Sequence, residues 1–120
     1  MKIPQFKENF QVKFLEEAVN FPDSLDTKAR SKIIYNIHKA RFKYDKNLFK
    51  KLNETIREFR TLYQGRYYRL FAFWDKTDPE PVFVIITHGL IKKTAKTPVR
   101  DLEKAVKIMK HYLNSKVRVK

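Results

Sequence analysis

Between Thr87 and Pro98 the chain reads Thr-His-Gly-Leu-Ile-Lys-Lys-Thr-Ala-Lys-Thr-Pro, and no acid falls inside the stretch. Lys92, Lys93 and Lys96 follow the apolar run Val82–Ile86 and stand close after His88. A strand that ends in a histidine, a glycine and a lysine cluster presents fixed positive charge at a sheet end, which suits a phosphate. His88 titrates near neutrality, so it is either a proton carrier or a structural imidazole. A second group lies upstream. Period-2 alternation puts Glu58 and Arg60 on one face of their strand, and Tyr67, Arg69, Phe71 and Phe73 on one face of the next. An arginine among apolar neighbours needs a partner. Glu58 would serve, giving a structural ion-pair network, and so would a ligand phosphate. Other chemistries are excluded by composition. There is no cysteine, hence no thiol nucleophile and no thiolate zinc site. The two glycines, Gly65 and Gly89, form no P-loop or dinucleotide fingerprint. No histidine pair has metal-ligand spacing and no serine sits in a nucleophile elbow. Phosphate chemistry here would run on cations and one histidine, with no metal and no cofactor.

These residues need a sheet to carry them. Phe10–Leu15 reads as a short strand, and Glu16–Phe21 as a helical turn ended by Pro22. Asp26 is a good N-cap for a helix over 28–42, with Ala29, Ile33, Ile34, Ile37 and Ala40 on its apolar face. Lys39, Arg41 and Lys43 fall in or just past its last turn, where they suit the helix dipole. Leu48, Phe49 and Leu52 anchor a connecting segment. Three strands follow, 56–62, 66–74 and 82–88, with a turn at Gln64-Gly65 and a proline-containing turn region over 75–81. The third is apolar throughout, as expected of a central strand. Thr97 as N-cap and Pro98 at the first helical position open a last helix, whose apolar face is Leu102, Ala105, Val106, Met109 and Leu113. The expected fold class is α+β: helices packed on a twisted, mostly antiparallel sheet, in one domain over residues 1–120.

The formal net charge is +14 over 120 residues. Residues 28–51 hold nine Lys/Arg and one acid, and residues 92–120 hold ten and two, while the stretch between them is neutral. Two basic blocks flanking a neutral sheet attract a polyanion, nucleic acid or a ribonucleoprotein first of all. The N-terminal residues carry charges and no apolar core of a signal peptide, and the apolar runs are too short to span a bilayer, so a cytoplasmic protein without a membrane partner is expected.

The segments Ile56-Arg57-Glu58-Phe59-Arg60, Tyr67-Tyr68-Arg69-Leu70-Phe71 and Thr87-His88-Gly89-Leu90-Ile91-Lys92-Lys93-Thr94, with Lys96-Thr97-Pro98 before the last helix, resemble the RelE/HigB superfamily of toxins from bacterial type II toxin–antitoxin pairs, and more narrowly its phage-derived HigB-like branch. The resemblance covers nearly the whole chain. It implies a small RelE-like fold and a ribosome-dependent, metal-independent endoribonuclease that cuts mRNA by attack of a 2′-hydroxyl on the adjacent phosphate. By position it implies Arg60 and Arg69 with the pair Lys92 and Lys93 as catalytic residues, and His88 joins that set on its own chemistry, as a proton carrier at the strand end. Lys39, Lys50, Lys51, Lys96, Lys104 and Lys107 would hold RNA or the ribosome, and a small helix-turn-helix antitoxin would neutralise the toxin. Two departures stand out: Glu58 lies where some relatives are basic, and no aromatic occurs between Phe83 and Tyr112 to stack on a base. Two other readings are open: a gyrase-inhibiting toxin of the same fold, like the ParE branch, and a non-catalytic RNA-binding module using Tyr67, Phe71 and Phe73.

Overall fold

The structure is a computed structural model that describes residues 10–42, 45, 47–77, 82–94 and 96–118. Its elements are β1 (Gln11–Phe14), α1 (Glu16–Asp23), α2 (Thr27–Phe42), β2 (Phe49–Lys51), β3 (Ile56–Tyr63), β4 (Arg66–Asp75), β5 (Phe83–Lys92) and α3 (Val99–Arg118). The strands form one five-stranded sheet in the order β1-β5-β4-β3-β2. Only β1 runs parallel to its neighbour, β5; the other pairings are antiparallel. The expected α+β class is what the chain adopts.

Helices cover both faces. Ala18 of α1 and Ala29, Ile33, Ile37 and Ala40 of α2 pack against Phe59, Leu70, Ala72, Val84 and Ile86. On the other face Leu102, Ala105, Val106, Met109 and Leu113 of α3, the five positions expected from the sequence, pack against Ile56, Phe71, Phe73 and Ile85. Alternation along β3 and β4 sends successive side chains to these two layers, and the mixture of aromatic and β-branched residues fits a surface buried on both sides. The β3–β4 hairpin closes through Gln64 at φ 50° and Gly65 at φ 74°. Positive φ at both positions is the requirement of a two-residue turn whose twist matches the strands.

Several expectations need correction. Phe49–Lys51 is a strand, because Lys50 and Lys51 pair across to Glu58 and Arg57. The third strand continues past His88 to Lys92, so half of the supposed loop lies on the sheet. As expected, β5 is an interior strand, paired to β1 and β4 with helices above and below, and β4 holds the middle place. Helix α1 passes through Pro22 and ends at Ser24, whose N–H bonds to the carbonyls of Asn20 and Phe21. Asp26 does cap α2, its Oδ1 accepting from the Ala29 N–H at 2.8 Å, but Ile34 is 53% exposed and off the buried face. Pro98 is the residue before the first turn of α3, with its carbonyl accepting from Leu102 N–H, and Thr97 spends its hydroxyl elsewhere. Lys43 and residues 78–81 of the second turn region lie outside the described residues. Among the described residues no helix is long and apolar enough to cross a membrane.

Helix α1 lies close against β5 at Gly89. A Cβ there would sit 2.5 Å from the root of the Phe21 ring and 2.9 Å from Leu70 Cδ2. Gly89→Ala is therefore expected to lower stability by about 1–3 kcal/mol, the usual range for overpacking. A urea unfolding midpoint equal to that of the parent chain would refute it.

Candidate active site

The strand pattern puts Glu58 and Arg60 of β3 and Tyr67 and Arg69 of β4 on the α3 face, with Arg60 directly opposite Arg69. Lysine enters from β5 through an irregularity. Phe71 pairs with His88 but Ala72 pairs with Ile86, so Thr87 is an extra residue in the ladder. This β-bulge shifts the alternation by one. Ile85 faces α3; beyond the bulge His88, Leu90 and Lys92 face α3 as well, and Lys92 stands opposite Tyr67. Gly89 turns toward α1.

Glu58 organises this face. It and Arg69 are both 0% exposed. Arg69 Nη1 donates to Glu58 Oε2 at 3.3 Å and to Thr97 Oγ1 at 2.8 Å, while Arg69 Nη2 donates to the Thr94 carbonyl at 2.9 Å. The Thr97 hydroxyl donates to Glu58 Oε2 at 3.2 Å. Glu58 Oε1 accepts from Arg60 Nε at 2.9 Å. A buried carboxylate thus ties both arginines together, and Arg69 fastens the β5–α3 connection to the sheet. Arg69 Nε is left without a hydrogen-bond partner. Burial pushes the Arg69 pKa down from its ordinary value, against the opposing pull of Glu58.

His88 is also enclosed, at 2% exposure. Its ring stacks on Phe71 with centroids 4.7 Å apart and planes at 12°. Thr87 Oγ1 lies 2.9 Å from Nδ1, and Asp101 Oδ1 lies 3.3 Å from Nε2. A neutral ring carries one proton, on Nδ1 or Nε2, and the single Thr87 hydroxyl proton also has the Phe71 carbonyl as an acceptor, at 3.3 Å. The order hydroxyl, imidazole, carboxylate is that of a hydrolytic triad, but Thr87 is 0% exposed and no substrate can reach it. Burial lowers the His88 pKa, nearby Lys104 adds to this, and Asp101 and Glu17 oppose it.

The surface of the site is the end of the sheet that the apolar side chains of α3 do not cover. Arg60 is partly exposed there, Tyr67 is half-buried, Leu62 is 56% exposed, and Lys92 and Lys93 are exposed. The Tyr67 ring centroid lies 5.7 Å from the guanidinium carbons of both Arg60 and Arg69. A groove of about 900 Å³ runs from Tyr67 and Arg60 over β2, and Lys32, Lys50 and Lys51 line it.

Of the residues singled out from sequence, Arg60, Lys50 and Lys51 share this groove, and Lys92 adjoins it through Tyr67. Lys93 and Lys96 are exposed just beyond, in the β5–α3 connection. Arg69 and His88 lie beneath the surface. Lys39 is exposed on α2 in the opposite layer, Lys104 pairs with Glu17 of α1, and Lys107 is exposed on α3. Sequence reasoning missed Thr94, Thr97 and Asp101 as supports and Lys32 as a groove residue. The need of a buried arginine for several acceptors was the only signal for the two threonines.

Residues 20–110 match the family described as Phage derived protein Gp49-like (DUF891). The chain belongs to this Gp49-like family. It is a RelE/HigB-like toxin family of type II toxin–antitoxin systems, which points to a toxin with a cognate antitoxin. No curated protein and no solved structure matches the chain significantly. The α+β architecture agrees with a small RelE-like fold. The matched residues of this Gp49-like chain take in the whole Glu58 cluster, the bulge, Lys92, Lys93 and Lys96, and Asp101.

Two outcomes test this geometry. Glu58→Ala leaves Arg69 buried and unpaired, and is expected to reduce stability by about 3–5 kcal/mol; an unchanged denaturant midpoint would remove Glu58 from its organising role. For His88, the folded-state pKa lies below its ordinary value of about 6.5. The unfolded chain therefore takes up the proton first, so the stabilisation is complete above about pH 6.5 and is lost as pH falls. Melting temperature should decline more steeply with acidification in the parent chain than in His88→Gln, and parallel profiles would show that His88 does not carry the effect.

Proposed function

We propose that this Gp49-like toxin is a ribosome-dependent endoribonuclease that cuts mRNA. One observation carries the reading: a sheet end bearing Arg60 and Lys92, continued by Lys93 and Lys96, with the Glu58 carboxylate buried behind Arg60 and bound to both arginines. Positive charge held in place by a buried acid behind it is preorganised for a phosphate in front of it.

The reaction needs no group beyond the RNA and the protein. The 2′-oxygen attacks the adjacent phosphorus, the bond to the 5′-oxygen breaks, and a 2′,3′-cyclic phosphate and a 5′-hydroxyl result. One proton leaves the 2′-hydroxyl and one joins the departing 5′-oxygen. The lysine amines of β5 and its connection stand at the exposed rim for proton transfer, and Arg60 supplies charge to the pentavalent phosphorus. Arg69 acts through Glu58 and the Thr94 carbonyl, holding the lysine-bearing connection in register with Arg60. The exposed lysines of the groove, Lys32, Lys50 and Lys51, suit the phosphates of an RNA surface.

Expression without antitoxin is expected to arrest bacterial growth and to yield new mRNA 5′ ends in phase with codons. The pair Lys92→Ala and Lys93→Ala, both exposed, should leave the melting temperature nearly unchanged while slowing cleavage about a hundredfold or more. Growth arrest accompanied by DNA breaks and no new mRNA ends would instead indicate a gyrase inhibitor. Unaltered cleavage by the double variant would place the chemistry elsewhere.

A further inference from the structure

Tyr67 is the one described aromatic among the cations of the uncovered sheet end. Its ring rests against the guanidinium groups of Arg60 and Arg69, each 5.7 Å from the centroid. Across the ladder it faces Lys92 on β5 and Leu62 on β3. Leu62 is 56% exposed, an apolar side chain left in water beside an aromatic ring within a strongly basic surface. A site for a bare phosphate has no use for such a shelf. A nucleobase does, because its flat face seeks an aromatic or apolar partner while its sugar-phosphate seeks cations.

The groove agrees with this. It is open to solvent, about 900 Å³ in volume, and combines the shelf of Tyr67 and Leu62 with Arg60, Lys50, Lys51 and Lys32. Lys51 lies 3.9 Å from the exposed Glu54, and Arg60 is held by the buried Glu58. We propose that Tyr67 is the stacking platform for one unpaired RNA base, and that the groove beside it takes the adjoining phosphates. This rests on the endoribonuclease reading and deepens it. A base seated on Tyr67 has Arg60 on one neighbouring strand and Lys92 on the other, so its own ribose-phosphate is the one presented to the cations. Guanidinium groups against the ring strengthen the stack, since cation, ring and base all present planar faces. Tyr67 would thereby select single-stranded over duplex RNA and fix which phosphate is cut.

The test uses the purified chain and a short single-stranded RNA containing one 2-aminopurine, whose fluorescence is quenched on stacking. Quenching is expected with the parent chain and with Tyr67→Phe. Tyr67→Leu should abolish it and weaken binding about five- to a hundredfold. Leu62→Glu, on a side chain 56% exposed and outside the hydrogen bonds of the buried cluster, should weaken it too, which keeps the test decisive if Tyr67→Leu folds poorly. RNA binding without quenching, or full quenching by Tyr67→Leu with a normal melting temperature, would overturn the platform. Growth arrest separates the two proposals. Tyr67-dependent quenching by a chain that neither arrests growth nor cuts mRNA would retain the base site and discard the nuclease. Cutting that survives Tyr67→Leu at the same rate and the same phosphate would do the reverse.

Discussion

Glu58 and Arg69 are charged groups with no access to water, placed in the middle of a sheet between two apolar layers. Neither could be there alone. An ionised carboxylate or guanidinium in such a setting requires a counter-charge and filled hydrogen-bonding positions. Their mutual contact meets the first need only in part, and the rest is drawn from further along the chain. Thr97 places its hydroxyl between them, Thr94 turns its carbonyl to the guanidinium, and Arg60 takes the remaining carboxylate oxygen. Solvating this pair therefore dictates where the β5–α3 connection runs. The connection in turn decides where its lysines stand and where α3 begins.

Helix α3 is then anchored a second time, at its far end. Asp75, the last residue of β4, accepts hydrogen bonds from Tyr112 and Lys116 of α3 and from Thr77. Burial alone would raise the pKa of this carboxyl, but Lys116, Thr77 and Tyr112 outweigh it and hold it far below the ordinary carboxylate range. Burial and the bond to Asp75 raise the Tyr112 pKa. With both ends fixed, the helix covers the aromatic half of the sheet and leaves the cationic half open. The division of one sheet face into a dry half and a wet, positive half follows the side chains along the strands, Ile56, Phe71, Phe73 and Ile85 against Arg60, Tyr67 and Lys92, and the two polar anchors hold the helix over the first half.

Much of this could be read before any coordinates. Alternation set Glu58 and Arg60 on one face of their strand and Tyr67 and Arg69 on one face of the next, and the need of Arg69 for a partner offered Glu58 or a ligand phosphate, of which the structure supplies Glu58. The apolar stripe of α3 was read residue for residue. What escaped reading has physical reasons. β2 is three residues, two of them lysines, too short for any periodicity to show. Thr97-Pro98 has the form of a helix start, yet the hydroxyl answers to a stronger claim from two buried charges. Ile34 fits a helical stripe but stands at its exposed margin, lining an open hollow with Val12 and Phe14 of β1. Arg69 and His88 belong to chemically suggestive types, and only burial reveals that their contacts are with the protein.

The Thr87 bulge works as a reading frame for β5. Upstream of it the odd-numbered residue Ile85 faces α3; downstream the even-numbered residues His88, Leu90 and Lys92 do. The same sequence paired without the bulge would still form a strand of identical composition. It would carry Gly89 toward α3, His88 toward α1, and Lys92 to the face opposite Arg60. Straightening the strand here, with Thr87 kept, would disconnect the lysine from both arginines while leaving every side chain of the site present in the sequence. A family member one residue shorter between Ile86 and Lys92 would reach the same placement through a regular ladder, so a gap at this position marks a straightened strand with the lysine still on the α3 face.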